Sequence, residues 1–137
     1  MKLSKTSEYA LRILAFMAKD PSQLYSAKYL VETLAISDKY LRRLMTDLTH
    51  AGFIKSTQGR DGGYAFVKSP GHILLADVVE AVEGMSKYSG CVLGFDKCSD
   101  ANPCVMHSTW VNVRTGFVNV FTSKSLADLD FNEINKY

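Results

Sequence analysis

A pair of short amphipathic segments, followed by a glycine-rich turn, restricts this chain to a small number of folds. Ser26 and Ser37 each stand directly before such a segment, where a serine side chain can cap the first turn of a helix. The second segment has its apolar residues at helical spacing, namely Leu41, Leu44, Met45 and Leu48. Two short helices joined by a tight connection predict a helix-turn-helix, whose second helix enters the major groove of DNA.

Two short β-strands are predicted after the second of these helices, over residues 53–56 and 64–67. They flank the turn Gly59-Arg60-Asp61-Gly62-Gly63, which is typical of a hairpin tip. A hairpin in this position is the wing of a winged helix, and its arginine is suited to DNA phosphates or to the minor groove. The simpler interpretation is that the glycines only close a turn.

Basic residues are concentrated in the half of the chain that contains these elements. Residues 1–70 hold eleven Lys and Arg against six Asp and Glu, whereas residues 71–137 hold five against eight. A positive first half indicates a polyanionic partner, although a chance excess of basic residues would look the same. We therefore predict contacts with double-stranded DNA from Ser26, Ser37, Lys39, Tyr40, Arg42, Arg43, Gln58 and Arg60.

The last third of the chain predicts a long helix. Asn102-Pro103 is a helix-start signal, an amide cap followed by proline at the first helical position. Beyond it, apolar residues recur with the spacing of a coiled-coil seam, at Met106, Trp110, Val113, Phe117 and Val120. Such a seam on a short chain implies a dimer. The competing interpretation is a pair of strands, because residues 111–115 and 117–121 also alternate around Gly116.

Three cysteines and a histidine lie within one glycine-containing stretch, at Cys91, Cys98, Cys104 and His107. Their spacing lacks the paired Cys-x2-Cys of structural zinc sites, although it does not exclude zinc. Thiolates on a flexible loop can instead wrap an iron–sulfur cluster, which is bulkier than a single ion. With Cys104 in the first turn of the long helix, His107 would lie on the same helix face, and the helix N-terminus would favour an anionic cluster.

Other uses of these side chains stay open. The cysteines could respond directly to oxidation, by forming sulfenic acid or a disulfide without iron. Cys104 and His107 could form a nucleophile pair, but no third orienting residue is evident, and we predict that the chain is not an enzyme. An odd number of cysteines argues against a disulfide framework.

The composition narrows the setting in which the chain works. Hydrophobic residues make up 47% of the sequence, enough for a core, and no stretch reaches the roughly 20 apolar residues of a membrane-spanning helix. Glu8 and Arg12 interrupt any apolar region of an export signal. We therefore expect a cytoplasmic protein that binds neither a membrane nor a small-molecule substrate.

Five motifs together resemble the Rrf2 family of winged-helix transcriptional regulators, typified by IscR, NsrR and RirA. The motifs are Ser7-Glu8-Tyr9-Ala10-Leu11-Arg12, Ile36-Ser37-x-x-Tyr40-Leu41, Gly59-x-x-Gly62-Gly63-Tyr64, Val78-x-x-Ala81-Val82-Glu83-Gly84 and the three-cysteine loop. They cover nearly the whole chain. The wing and the cysteine motifs are specific in combination, though either alone would be weak.

The resemblance implies a homodimer, held by the long C-terminal helix, that binds a near-palindromic DNA operator. It also implies a [2Fe-2S] or [4Fe-4S] cluster on Cys91, Cys98 and Cys104, whose state controls the affinity for DNA. The fourth ligand implied by the resemblance is either His107 or Glu8 of the partner subunit, and both residue types are present.

Two departures from IscR-like members limit what the resemblance implies about the operator. Arg42 and Arg43 stand where those members have an acidic residue and a glutamine, and Gln58 stands where they have an arginine. Because arginine prefers guanine or phosphate, we predict G·C pairs beneath this helix.

The sequence thus predicts a mainly α fold with a small β-hairpin wing, a winged helix-turn-helix plus a long C-terminal dimerisation helix. The predicted divisions are a DNA-binding domain over residues 1–84, a cluster-binding loop over 85–103, a dimerisation helix over 104–124 and a tail over 125–137. The predicted function is a repressor whose operator affinity follows nitric oxide, redox state or iron–sulfur supply. The alternative is a cluster-free regulator that senses thiol oxidation.

Overall fold

The computed structural model describes residues 2–129, which form five α-helices and one two-stranded sheet. The helices are α1 (Lys5–Met17), α2 (Ala27–Leu34), α3 (Asp38–His50), α4 (Leu75–Val82) and α5 (His107–Ser123), and the strands are β1 (Ile54–Thr57) and β2 (Gly63–Phe66). Single turns of 3₁₀ helix cover Pro70–His72, Ser86–Tyr88 and Leu126–Asp128. The predicted fold class, a mainly α winged helix with a small hairpin, is confirmed.

The first three helices begin at serine caps, Ser4, Ser26 and Ser37, and the last two of these were predicted. Each serine side chain accepts a hydrogen bond from the backbone N–H three residues later. Such a bond satisfies one of the unpaired N–H groups of a helix start, and removing it typically costs about 1 kcal/mol. The helix-turn-helix is therefore encoded by short-range signals.

The core lies where α1, α3 and α4 meet. Its fully buried side chains include Ile13, Leu14, Met17, Leu41, Met45, Leu48 and Val78. Burying an aliphatic side chain of this size stabilises the fold by roughly 1.5–3 kcal/mol. Tyr29 of α2 lies at the edge of this core, since it is 44% exposed and its ring lies beside those of Phe16 and Tyr25.

The hairpin is joined to the helix-turn-helix by backbone hydrogen bonds. β1 and β2 are antiparallel, with Ile54 opposite Phe66 and Thr57 opposite Gly63. Tyr64 of β2 also forms a bridge with Tyr25, in which each backbone N–H donates to the other residue's carbonyl, at 2.9 and 2.7 Å. The bridge fixes the wing beside the start of α2.

The long C-terminal segment is a helix, so the competing prediction of two strands is wrong. However, α5 begins at His107 and not at the predicted Asn102-Pro103 start. The reason is that Asn102 is used in a tight turn with Ser99, whose backbone groups exchange two hydrogen bonds with it, at 3.0 and 3.2 Å. Cys104 therefore precedes the helix, and the prediction that it shares a helix face with His107 is wrong.

The predicted seam of α5 divides into two sets of residues. Trp110 and Phe117 contact the same chain, by a hydrogen bond to Gly90 and by stacking on Tyr88 respectively. The remaining seam residues form an exposed apolar stripe at intervals of seven, Met106, Val113 and Val120, which are 39%, 51% and 51% exposed. This stripe has no cover within residues 2–129.

The C-terminal end of α5 returns to the winged helix. The Lys124 carbonyl accepts a hydrogen bond from the Leu75 backbone N–H at 2.9 Å, and Leu126 is fully buried in the core. Leu126 belongs to the predicted tail over residues 125–137, most of which lies outside the described residues. None of the helices within residues 2–129 is both long enough and apolar enough to span a membrane.

Candidate functional site

A surface cleft of about 270 Å³ lies between the start of α2, the exposed face of α3 and the wing. Four of the residues predicted to contact DNA line it, Ser26, Arg42, Gln58 and Arg60. Lys28, Ser56 and Thr57 line it too and were not predicted. Lys28 was recognisable, since a basic residue in the first turn of the first motif helix faces the same groove. The positions of Ser56 and Thr57 in the cleft could be known only from the pairing of the two strands, because that pairing determines which strand residues face α3.

The other residues predicted to contact DNA lie elsewhere on α3. Lys39 and Arg43 are exposed, and so is the Ser37 cap. Tyr40 is only half-exposed, because its hydroxyl donates to the Thr6 hydroxyl at 3.1 Å and its ring meets another ring edge-on. Its hydroxyl is therefore tied to α1.

Arg42 is already paired within α3. Its Nε donates to both carboxylate oxygens of Asp38, at 3.0 and 3.1 Å. The two side chains are 58% and 60% exposed. Water and salt screen an exposed pair of this kind, so Arg42 can turn towards a phosphate or a guanine.

The three cysteines form a compact group within the loop that precedes α5. Their Sγ atoms all lie within 4.8 Å of one another, and those of Cys91 and Cys104 are 3.7 Å apart. His107 adjoins this group through Nδ1, which is 3.3 Å from the Cys98 Sγ. Three predicted sulfur ligands are thus brought together. Glu8 instead lies in the first turn of α1, where Lys2 and Lys5 are its ion-pair partners.

Local backbone turns create this grouping. The Gly94 backbone N–H donates to the Cys91 carbonyl at 3.0 Å, and Gly94 has a φ of 79°, a conformation that favours glycine. The turn between Ser99 and Asn102 then reverses the chain between Cys98 and Cys104. It allows the Cys104 backbone N–H to donate to the Cys98 Sγ at 3.4 Å.

The thiols differ in how readily they ionise. Hydrogen bonding from the Phe95 backbone is the main reason that the pKa of Cys91 falls to about 7, with burial opposing it. The backbone N–H of Cys104 acts in the same direction on Cys98, but burial and the neighbouring thiols outweigh it and raise the pKa of Cys98. Cys91 is therefore the more readily available thiolate, the form that binds metal.

Two side chains of α5 hold the backbone just before Cys91. The Trp110 Nε1 donates to the Gly90 carbonyl at 2.8 Å, and Arg114 donates to the Ser89 carbonyl at 2.7 Å. Both side chains also line a narrow cavity shared with the three cysteines and His107. The positive charge of Arg114 stabilises the negative charge that metal-bound thiolates would carry in this cavity.

A second set of contacts connects this region to the winged helix. The hydroxyls of Ser4 and Tyr88 both donate to the Glu83 carboxylate, and the Lys87 ammonium lies 3.2 Å from it. Burial alone would raise the pKa of Glu83, but the hydrogen bonds from Tyr88 and Lys87 lower it overall. The charged carboxylate thus joins the cap of α1 to the turn that leads into the cysteine loop.

The donor set fits iron or zinc. Thiolate and imidazole are the soft and borderline ligands that these metals prefer. The 3.7 Å separation of Cys91 and Cys104 is close to the roughly 3.8 Å edge of a tetrahedron with metal–sulfur bonds of about 2.3 Å. A wider cluster also has room, because a surface cleft of about 410 Å³ borders Cys98 and Cys104.

Comparison with known proteins identifies the family. The family model described as "Rrf2: Iron-dependent Transcriptional regulator" matches residues 3–130. The chain belongs to the Rrf2 family. It is therefore a DNA-binding transcriptional regulator, as the sequence predicted.

Individual Rrf2 relatives resemble this regulator over nearly its whole length. NsrR from Geobacillus kaustophilus is 29% identical over 131 residues, covering 94% of this chain and 89% of NsrR. The solved structure of CymR, the global cysteine regulator of B. subtilis, has a TM-score of 0.80 and 28% identity, covering 93% of this chain and 95% of CymR. The solved structure of IscR from T. potens has a TM-score of 0.74 and 26% identity, covering 100% of this chain and 94% of IscR.

We expect Arg114→Met to weaken metal binding by this Rrf2 regulator about 10- to 100-fold, the usual effect of losing a group that orients a ligand. Methionine keeps an unbranched, uncharged chain but cannot donate to the Ser89 carbonyl. The measurement is competition with a chelator under anaerobic conditions. Lys97→Met is the control, since it removes the same charge from an exposed loop position. Equal metal retention by the two variants would contradict the assigned role.

Proposed function

We propose that this Rrf2 regulator is a homodimeric repressor whose affinity for DNA is set by an iron–sulfur cluster. Cys91, Cys98 and Cys104 would hold the cluster with one further ligand. The observation that carries the proposal is the convergence of three thiols to within 4.8 Å of one another in a chain that also has a winged helix. When bound, the cluster supplies a redox-active and nitric-oxide-reactive centre.

The exposed apolar stripe of α5 supports a dimer. Its members recur every seven residues, Met106, Val113 and Val120, as in the seam of a two-stranded coiled coil. Covering these side chains with a second α5 removes apolar surface from water. Two winged helices would then face two half-sites of one operator, at a spacing set by the dimer.

The residues around the cysteine loop offer a route by which its state reaches DNA. Ser89 and Gly90 are bonded to α5, and the adjacent Tyr88 is bonded to Glu83 and stacked on Phe117 at 5.0 Å. A shift of this segment therefore moves α5 relative to the winged helix. Because the half-sites have a fixed spacing, a small change in the relation of the two recognition helices alters the affinity.

The test is to prepare the protein without oxygen and measure iron, labile sulfide, visible absorption and molar mass. Operator sequences are then selected from random DNA with the cluster-loaded and the cluster-free protein. We expect stoichiometric iron and sulfide, a dimer, and different operator affinities for the two forms. Addition of nitric oxide, oxidant or chelator shows which signal changes that affinity. Equal affinity of the two forms would reject cluster control.

A second candidate is a cluster-free thiol switch, favoured by the 3.7 Å distance between the Cys91 and Cys104 sulfurs. In this reaction hydrogen peroxide accepts two electrons, the two thiols lose their protons and form a disulfide, and two molecules of water are released. Colourless protein without iron whose DNA affinity changes on peroxide treatment would support this candidate. A firmly bound single zinc ion would support neither switch.

We expect Arg42→Ala to weaken binding to the selected operator by about 1–3 kcal/mol and to relax the sequence preference beneath α3. Arg42 lines the cleft between α3 and the wing and is the arginine of α3 that does so. The measurement is titration of matched operator and G·C-to-A·T substituted duplexes at one salt concentration. Arg12→Ala is the charge-matched control, because Arg12 is exposed on α1 with its guanidinium over the Tyr9 ring. Unchanged operator affinity would disprove a base-reading role.

A further inference from the structure

The imidazole of His107 lies between a thiol and a carboxylate. Its Nδ1 is 3.3 Å from the Cys98 Sγ, and its Nε2 is 2.8 Å from an Asp100 carboxylate oxygen. The His107 side chain is only 14% exposed, whereas that of Asp100 is fully exposed. The ring is thus held in one orientation, with one nitrogen towards the cysteines and the other towards solvent.

The carboxylate determines which ring nitrogen can bind a metal. A neutral imidazole has one N–H donor and one nitrogen with a lone pair. A carboxylate only accepts, so the nitrogen beside Asp100 has to carry the proton. The lone pair is then on Nδ1, the atom beside the Cys98 sulfur. Metal-binding histidines commonly donate their other N–H to a carboxylate in this way.

We propose that Asp100 is a positioning residue that makes His107, through Nδ1, the fourth ligand of the metal centre. The inference rests on the proposed function, because it requires the cysteines to hold a metal centre. It selects one of the two fourth ligands that the sequence left open. Among residues 2–129, the ion-pair partners of Glu8 are Lys2 and Lys5, whereas His107 is the residue that adjoins a cysteine sulfur.

The exposure of Asp100 separates this role from a structural one. An ion pair with a fully exposed member adds little to folding stability, because water and salt screen it. Removing the carboxylate should therefore change the ligand set without changing the melting temperature. The Asp100 carboxylate affects the bond between the metal and Nδ1 and does not affect the packing of the loop.

The experiment compares Asp100→Ala, Asp100→Asn and the control Asp96→Ala in full-length protein carrying ¹⁵N-labelled histidine. Asp96 is an exposed acidic residue of the same loop. The cluster is loaded anaerobically and reduced, and the ¹⁵N hyperfine coupling is recorded by pulsed electron paramagnetic resonance. His107→Ala identifies the source of the signal, since the chain has three histidines.

We expect strong histidine coupling in the wild type and in Asp96→Ala, and its loss in His107→Ala and Asp100→Ala. Asp100→Asn should restore it, because the side-chain oxygen of asparagine still accepts from Nε2. The affinity for iron, measured by competition with a chelator, should be about 10- to 100-fold lower in Asp100→Ala than in the wild type.

Two outcomes would overturn the inference while leaving the proposed function in place. One is a loaded wild-type cluster without histidine coupling, and the other is coupling and iron retention in Asp100→Ala equal to those of the wild type. Wild-type protein that binds no iron and no sulfide would instead remove the proposed function, and this inference with it.

Discussion

Replacing Cys98 with alanine is expected to abolish the metal centre while the winged helix stays folded. The Cys98 sulfur is central to the group, because it lies beside the His107 Nδ1 and accepts from the Cys104 backbone N–H. Without the Cys98 sulfur, only Cys91 and Cys104 are left as sulfur ligands, too few to hold the metal centre. Bound iron should fall by well over tenfold, since metal affinity depends on the full number of deprotonated ligands.

The measurements for Cys98→Ala are iron and sulfide content, visible absorption and the thermal melting curve. Val105→Ala is the matched control, because Val105 follows a cysteine directly and is 89% exposed. We expect the control to load as the wild type does, and Cys98→Ala to bind DNA as the metal-free wild type does. Stoichiometric iron and sulfide in Cys98→Ala would exclude its sulfur from the site.

Replacing Gly63 with alanine is expected to disconnect the wing and weaken operator binding by at least about tenfold, equivalent to 1.4 kcal/mol. A Cβ at this position would lie 2.5 Å from the Tyr25 carbonyl oxygen and 2.7 Å from its carbon. These are backbone atoms of the bridge that ties Tyr64 to Tyr25, so the strand has to move away. We also expect a loss of about 1–3 kcal/mol in the free energy of unfolding.

Operator titration and chemical denaturation test the Gly63→Ala prediction, with Gly71→Ala as the control. Both changes restrict the unfolded chain equally, but a Cβ at Gly71 meets nothing closer than 3.9 Å. We expect the control to keep both stability and affinity. If Gly63→Ala bound the operator as tightly as the wild type, the position of the wing beside α2 would have no part in DNA binding.

The local features of this fold were predictable from the sequence. Ser26 and Ser37 both cap helices where the sequence predicted them. The strands fall within one residue of the predicted ranges. Caps, turns and helical stripes depend on residues one to four positions apart, so their signals are complete within a short stretch of chain.

The cysteine loop shows the limit of such signals. Asn102-Pro103 has the composition of a helix start, yet a turn with Ser99 uses the asparagine and the helix begins at His107. In this turn the Asn102 side-chain amide donates to the Lys97 carbonyl at 3.2 Å. No short-range signal in the sequence distinguishes such a turn from a helix cap. Likewise, the coiled-coil spacing of α5 does not reveal that Trp110 and Phe117 contact their own chain.

The sequence alone determined the winged helix, the basic character of its DNA-facing half and the soft donor set of the loop, because these follow from residue type and short-range spacing. Only the tertiary structure decided that three sulfurs lie within 4.8 Å of one another, that Asp100 faces His107, and that Glu83 joins α1 to the loop. These contacts depend on how the chain turns between their members. Backbone hydrogen bonds and packing set those turns, and residue spacing does not record them.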